Sequence, residues 1–135
     1  MKNLAALAVI LTALSSCHHS DKQLKATISN ADSIAINYFT GDGKIDTVTA
    51  VKIIHDKNIM EQLAAFATAS VTDIKSNCGY DGTIHFYKND NVVQDIKFRM
   101  NDEQCMQFTF TEDGNITATK LSQQAKELLE SINKK

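Results

Sequence analysis

The chain has 135 residues, 14 of them lysine or arginine and 16 aspartate or glutamate, for a formal charge of −2. A near-neutral chain with Arg99 as its only arginine lacks the basic stripe that nucleic acid requires and the polybasic patch that anionic lipid attracts. One domain of this size buries about two thirds of its surface and needs no metal to fold.

Met1-Lys2-Asn3 is a short positive start, and Leu4 to Leu14 is an apolar run. The run is too short to cross a bilayer, which takes about 18 or more apolar residues. Leu14-Ser15-Ser16-Cys17 then puts small residues directly before a cysteine, completing the three parts of a secretory signal. These four residues resemble the lipobox of bacterial lipoproteins. The resemblance covers residues 1–17 only. It implies cleavage after Ser16, lipid attachment at Cys17 through a sulfur-linked diacylglycerol, and acylation of the new N-terminus. Acyl chains on one residue suffice for stable attachment, so the expected location is the bacterial cell envelope, lipid-anchored, at the outer membrane.

Residues 1–16 are therefore expected to be removed, 17–30 to form a tether, and 31–135 to fold as one α+β domain. The tether is mostly polar apart from Leu24 and Ile28, and His18-His19 reads as solvated spacer. Ser33 to Phe39 alternates Ile34, Ile36 and Tyr38 with smaller or polar residues, as a strand does. Thr40 to Lys44 has turn chemistry, and Ile45 to Ile54 reads as the returning strand. The acidic-glycine stretch Asp42 to Asp46 lacks the alternating oxygen ligands and distal glutamate of a calcium loop.

Asp56 or Asn58 caps a helix to about Ala69, with Ile59, Met60, Leu63, Phe66 and Ala67 on one apolar stripe. Ser70 to Asp81 has no period and reads as a loop. With Cys17 lipidated, Cys78 and Cys105 form an even pair in an oxidising compartment. The disulfide expected between them pins this loop and contributes roughly 3–4 kcal/mol on the chain-entropy model.

Gly82 to Met100 reads as a hairpin with Ile84, Phe86, Ile96, Phe98 and Met100 on one face. A three-residue loop, Asn89-Asp90-Asn91, pairs Ile84 with Ile96 and His85 with Asp95; a two-residue loop would mix the faces. Met106, Phe108 and Phe110 mark another strand, Asp113-Gly114 a turn, and Asn115 to about Lys120 a short edge strand. Ser122 caps a last helix with Ala125, Leu128, Leu129 and Ile132 inward. The expected fold is α+β: an antiparallel sheet of about five to six strands with two helices on one face, in the order ββα-ββββ-α. Its core draws on Ile36, Leu63, Phe66, Ile84, Phe86, Ile96, Phe98, Phe108, Phe110, Leu128, Leu129 and Ile132.

The opposite face then carries Thr83, His85, Tyr87, Asp95, Lys97, Arg99, Gln107 and Thr109. His85, Tyr87, Asp95, Lys97 and Arg99 form the candidate binding face, with Tyr87 and Arg99 as its anchors. His85 beside Asp95 has the parts of a general base and its orienting carboxylate, but no nucleophile accompanies them, so a cross-strand ion pair is expected. No phosphate loop, zinc-ligand spacing or HExxH helix occurs, so no catalytic residue, cofactor or metal is expected. The functional expectation is a non-enzymatic envelope module that binds a protein partner, inhibitor- or immunity-like by analogy. The alternative is a small-ligand or glycan carrier, which needs a concave pocket. Asp32-Ser33-Ile34 and Asp46-Thr47-Val48 each look like an O-glycosylation tripeptide of certain bacterial envelope proteins.

Overall fold

A computed structural model describes residues 20–45 and 47–135, so the expected signal segment and Cys17 lie outside the described residues. The chain runs α1 (Ser20–Ser29), β1 (Ser33–Phe39), β2 (Val48–Ile54), α2 (Lys57–Ala67), β3 (Val71–Thr72), a 3-10 turn at Ser76–Cys78, β4 (Gly82–Lys88), β5 (Asn91–Arg99), β6 (Gln107–Glu112), β7 (Asn115–Lys120) and α3 (Gln123–Lys134). All seven strands join one antiparallel sheet in the order β2-β1-β4-β5-β6-β7-β3. The fold is α+β, with seven strands and three helices among the described residues instead of five to six and two.

The strands form where β-branched and aromatic residues alternate with polar ones, and the alternation sets which face is dry. Ile34, Ile36 and Tyr38 of β1 meet Ile84 and Phe86 of β4, Ile96 and Phe98 of β5, and Phe108 and Phe110 of β6 in one apolar cluster. The helices close this face with Met60, Leu63, Ala64 and Ala67 from α2 and Ala125, Leu129 and Ile132 from α3. Phe66 and Leu128, expected inside, are only partly buried at its margin. Asp56 caps α2, accepting from the Asn58 and Ile59 N–H groups, and Ser122 caps α3, accepting from Ala125. The Tyr38 hydroxyl donates to the Leu129 carbonyl at 2.7 Å, so β1 and α3 share a buried hydrogen bond. Burial pushes the Tyr38 phenol well above its ordinary range, because the anion would lose its water.

Residues 20–29 are not a free tether. They form α1, and Leu24 and Ile28 are 3% and 1% exposed against the same core. A spacing of four residues puts both side chains on one face of a helix. Two apolar residues in a polar stretch make too thin a stripe to read as amphipathic, yet both are fully used.

The β4–β5 hairpin corrects the loop and keeps the register. Its turn is two residues, Asn89 and Asp90, with φ of 49° and 64°, the backbone of a type I′ turn. Lys88 pairs with Asn91 and Tyr87 with Val92, but Phe86 pairs with Gln94, so Val93 is an extra bulged residue. The bulge restores Ile84 opposite Ile96 and His85 opposite Asp95. The Asp113-Gly114 turn likewise has both φ values positive and sets Phe108 opposite Thr119.

Candidate binding face

By the same alternation, the face away from the helices carries Val51 and Ile53 from β2, Ala35 and Asn37 from β1, Thr83, His85 and Tyr87 from β4, and Asp95, Lys97 and Arg99 from β5. Gln107, Thr109 and Thr111 of β6 and Ile116, Ala118 and Lys120 of β7 complete it.

Two loops fold over one end. The Cys78–Cys105 disulfide, with Cα atoms 5.7 Å apart, ties the segment before β4 to the one before β6. The Gln107 side chain reinforces the tie: its Oε1 accepts from Lys75 N–H at 3.2 Å and its Nε2 donates to Lys75 C=O at 3.0 Å. The Lys75 ammonium also donates to the Gln104 carbonyl. Gly79, at φ +64°, lies so close to Gly43 that a Cβ would sit 2.0 Å from the Gly43 carbonyl oxygen. The β1–β2 turn therefore packs backbone to backbone on the disulfide loop, and Tyr80 N–H donates to Gly43 C=O at 3.0 Å. Within that turn Asp42 accepts from the Thr40 hydroxyl at 2.6 Å and from Lys44 N–H at 3.0 Å. These bonds hold its carboxyl below the usual carboxylate range.

Arg99 is the residue this arrangement changes most. Expected as an exposed anchor, it is 8% exposed, and its guanidinium donates to the Asp81 carboxylate and the Gly41 carbonyl. Asp81, at 1% exposure, uses its other oxygen to accept from the Met100 and Asn101 N–H groups, each at 2.8 Å. Arg99 points to the expected face; the loops above it turn that position into interior. Thr83, Gln107 and Thr109 are buried too.

The rest of the expected face stays accessible. His85 is half-buried: its Nδ1 lies 2.5 Å from Asp95 Oδ1 and its Nε2 lies 3.2 Å from Asn37 Nδ2. With Asn37 donating to Nε2, the ring proton sits on Nδ1 and is donated to Asp95. Each ring nitrogen thus has one polar neighbour within hydrogen-bond distance. The Lys97 ammonium sits 4.9 Å from the centre of the Tyr80 ring, a cation–π contact. Tyr87 is half-buried beside Ala35 and Ile53, where a shallow notch of about 220 Å³ opens. A wider groove of about 460 Å³ runs between Tyr80, Val92, Lys97, Thr109, Thr111 and Ile116. The Thr109 hydroxyl beneath it is buried with no hydrogen-bond partner among the described residues. Sequence reasoning missed Asp81, Tyr80 and the apolar Val51 and Ile53. Only the Val- and Ile-rich composition of β2 signalled any of them.

Among the described residues no group of three or more His, Cys, Asp or Glu gathers to hold a metal, and no helix is long and apolar enough to cross a membrane. Of the two glycosylation-like tripeptides, Asp32-Ser33-Ile34 enters β1 with Ile34 buried, while Thr47 and Val48 are exposed ahead of β2 and Asp46 lies outside the described residues. No family profile, curated protein or solved structure matches this chain.

Proposed function

We propose that this is a lipid-anchored envelope protein, held to its membrane through Cys17, that binds another protein with the helix-free face of its sheet and catalyses no reaction. The observation that carries the binding surface is its apolar content: Val51, Ile53, Val92 and Ile116 all point from this face and are 49–68% exposed. Scattered exposed hydrophobics need no explanation, but several on one sheet face beside a half-buried tyrosine make a recognition surface. The notch between Ile53 and Tyr87 suits one apolar side chain of a partner, with Asp90 at its rim.

A photoreactive residue placed at Tyr87 or Val92 in the cell envelope is expected to give a discrete cross-linked species. The same residue at Gln124, exposed on α3, is expected to give none. Cross-linking from Gln124 alone would place binding on the helical side and end this reading.

One observation favours a second reading, a small polar ligand such as a glycan. The groove beside Tyr80 falls within the size range of small-molecule sites, about 300–1,000 Å³, and the Thr109 hydroxyl beneath it lacks a partner among the described residues. Saccharide binding by the intact protein, lost in Thr109→Val with the fold unchanged, would select that reading over protein recognition.

A further inference from the structure

We propose that β2 pairs with β2 of a second copy, antiparallel and with the two-fold axis through Val51, joining two sheets edge to edge. The two edges of the sheet are unequal. One is β3, two residues long; the other is β2, seven residues long and, among the described residues, flanked on one side only. Edges are ordinarily protected by shortness, proline or charge. β3 has the first protection, whereas β2 has no proline and one charged residue, Lys52.

The ladder shows which backbone groups are free. Phe39 N–H donates to Asp81 C=O at 2.8 Å, in register with the β1–β4 pairing, so the odd-numbered residues of β1 bond to β4. Bonds alternate along an antiparallel strand. Ile34, Ile36 and Tyr38 therefore bond to Ile54, Lys52 and Ala50, their register partners. Val51 and Ile53 turn their N–H and C=O groups away from the sheet, toward whatever lies beyond the edge.

These free groups restrict how a second β2 can dock, because outward-pointing residues must oppose outward-pointing residues. The symmetric centres that satisfy this are Val51, Lys52 and Ile53. A centre at Lys52 sets two ammonium-bearing side chains directly opposite one another, which destabilises a strand pair. A centre at Ile53 runs Val51 against His55, beyond the end of the strand, and shortens the overlap. A centre at Val51 overlaps all of β2, sets Thr49 against Ile53 of the second copy, and lays Lys52 against Ala50 of the second copy. The lysine stem then covers a small apolar side chain and no like charges oppose. Charge thus selects the register that also gives the longest ladder. Val51 and Ile53, 55% and 68% exposed, would form one apolar band across the junction with their symmetry mates. That apolar surface, together with the outward backbone groups, is self-complementary, which is what an isologous interface requires.

This extends the reading of the open face as a binding surface, and the two fail separately, since cross-linking from Tyr87 to a different protein does not depend on self-association. Sedimentation equilibrium of the lipid-free full chain carrying Cys17→Ser, from micromolar to millimolar, is expected to show a monomer–dimer equilibrium. Val51→Lys is expected to weaken association at least tenfold while leaving the thermal midpoint nearly unchanged. Cysteine substitution then reads the register. Residues opposed in a bonded antiparallel pair have Cα atoms about 5.5 Å apart, within disulfide range, so Val51→Cys should cross-link under mild oxidation. Ile53→Cys should not, because its symmetry mate lies four residues, about 13 Å, along the strand. A monomer at every concentration overturns the proposal and leaves the edge to a strand of a different protein. Cross-linking through Ile53→Cys in place of Val51→Cys overturns the register.

Discussion

Asp81 and Arg99 are a buried ion pair whose carboxylate also satisfies two backbone donors, so each side chain is fixed by what the other would leave behind. Removing one member of such a pair strands a charge away from water and costs about 3–5 kcal/mol. Arg99→Ala and Asp81→Ala are each expected to lower stability by about that much in urea titrations. A change under about 0.5 kcal/mol would mean that Arg99 is exposed after all. Tyr38 gives a second test. Its folded-state pKa is raised, so its contribution is complete below the unfolded value, near 10, and is lost as pH rises toward the folded value. Stability should therefore fall above about pH 10 more steeply in the natural chain than in Tyr38→Phe. The variant should start about 1 kcal/mol lower at neutral pH for its lost hydrogen bond to Leu129. Parallel pH dependences in the two proteins would show that the phenol is not the group that titrates. His85 opposite Asp95 was legible in the sequence because alternation fixes faces and pairing. The burial of Arg99 was not, because alternation says where a side chain points and nothing about which loop arrives above it.

The elements with strong periods, β1, α2, β4, β5, β6 and α3, follow directly from apolar spacing and caps. α1 and β3 do not, since both draw their stability from what they pack on: Leu24 and Ile28 on the core, Val71 and Thr72 on β7. The hairpin at Asn89-Asp90 shows a subtler limit. The core pattern dictates that Ile84 face Ile96, but a longer loop and a shorter loop plus a bulge both satisfy it. The observed solution uses the tolerance of asparagine and aspartate for positive φ and pushes the extra residue to Val93. The direct consequence at this scale concerns α1. Leu24→Ala should cost about 2–5 kcal/mol in equilibrium denaturation, the range for emptying a buried leucine site. A cost near zero would restore residues 20–29 to the role of a tether.

At the scale of the whole molecule, the sheet has one face sealed, among the described residues, by three helices and the other capped at one end by the disulfide loop, leaving β2, Tyr87 of β4, Val92 of β5 and Ile116 of β7 open. On the proposed anchor, this geometry sits close to the membrane. Only two residues, His18 and His19, separate Cys17 from the first residue of α1, a reach on the order of 10 Å, where a 14-residue tether would reach about 50 Å. The folded body would then present its binding face within a narrow range of heights above the lipid, with little freedom to search outward. That account stands on the modification of one residue. The measurement that tests it most directly is the mass of the N-terminal peptide of the chain recovered from membranes. The expected result is a peptide beginning at Cys17, with diacylglycerol on the sulfur and an acyl group on the α-amine. A peptide that begins upstream of Cys17, or an unmodified Cys17, would contradict it.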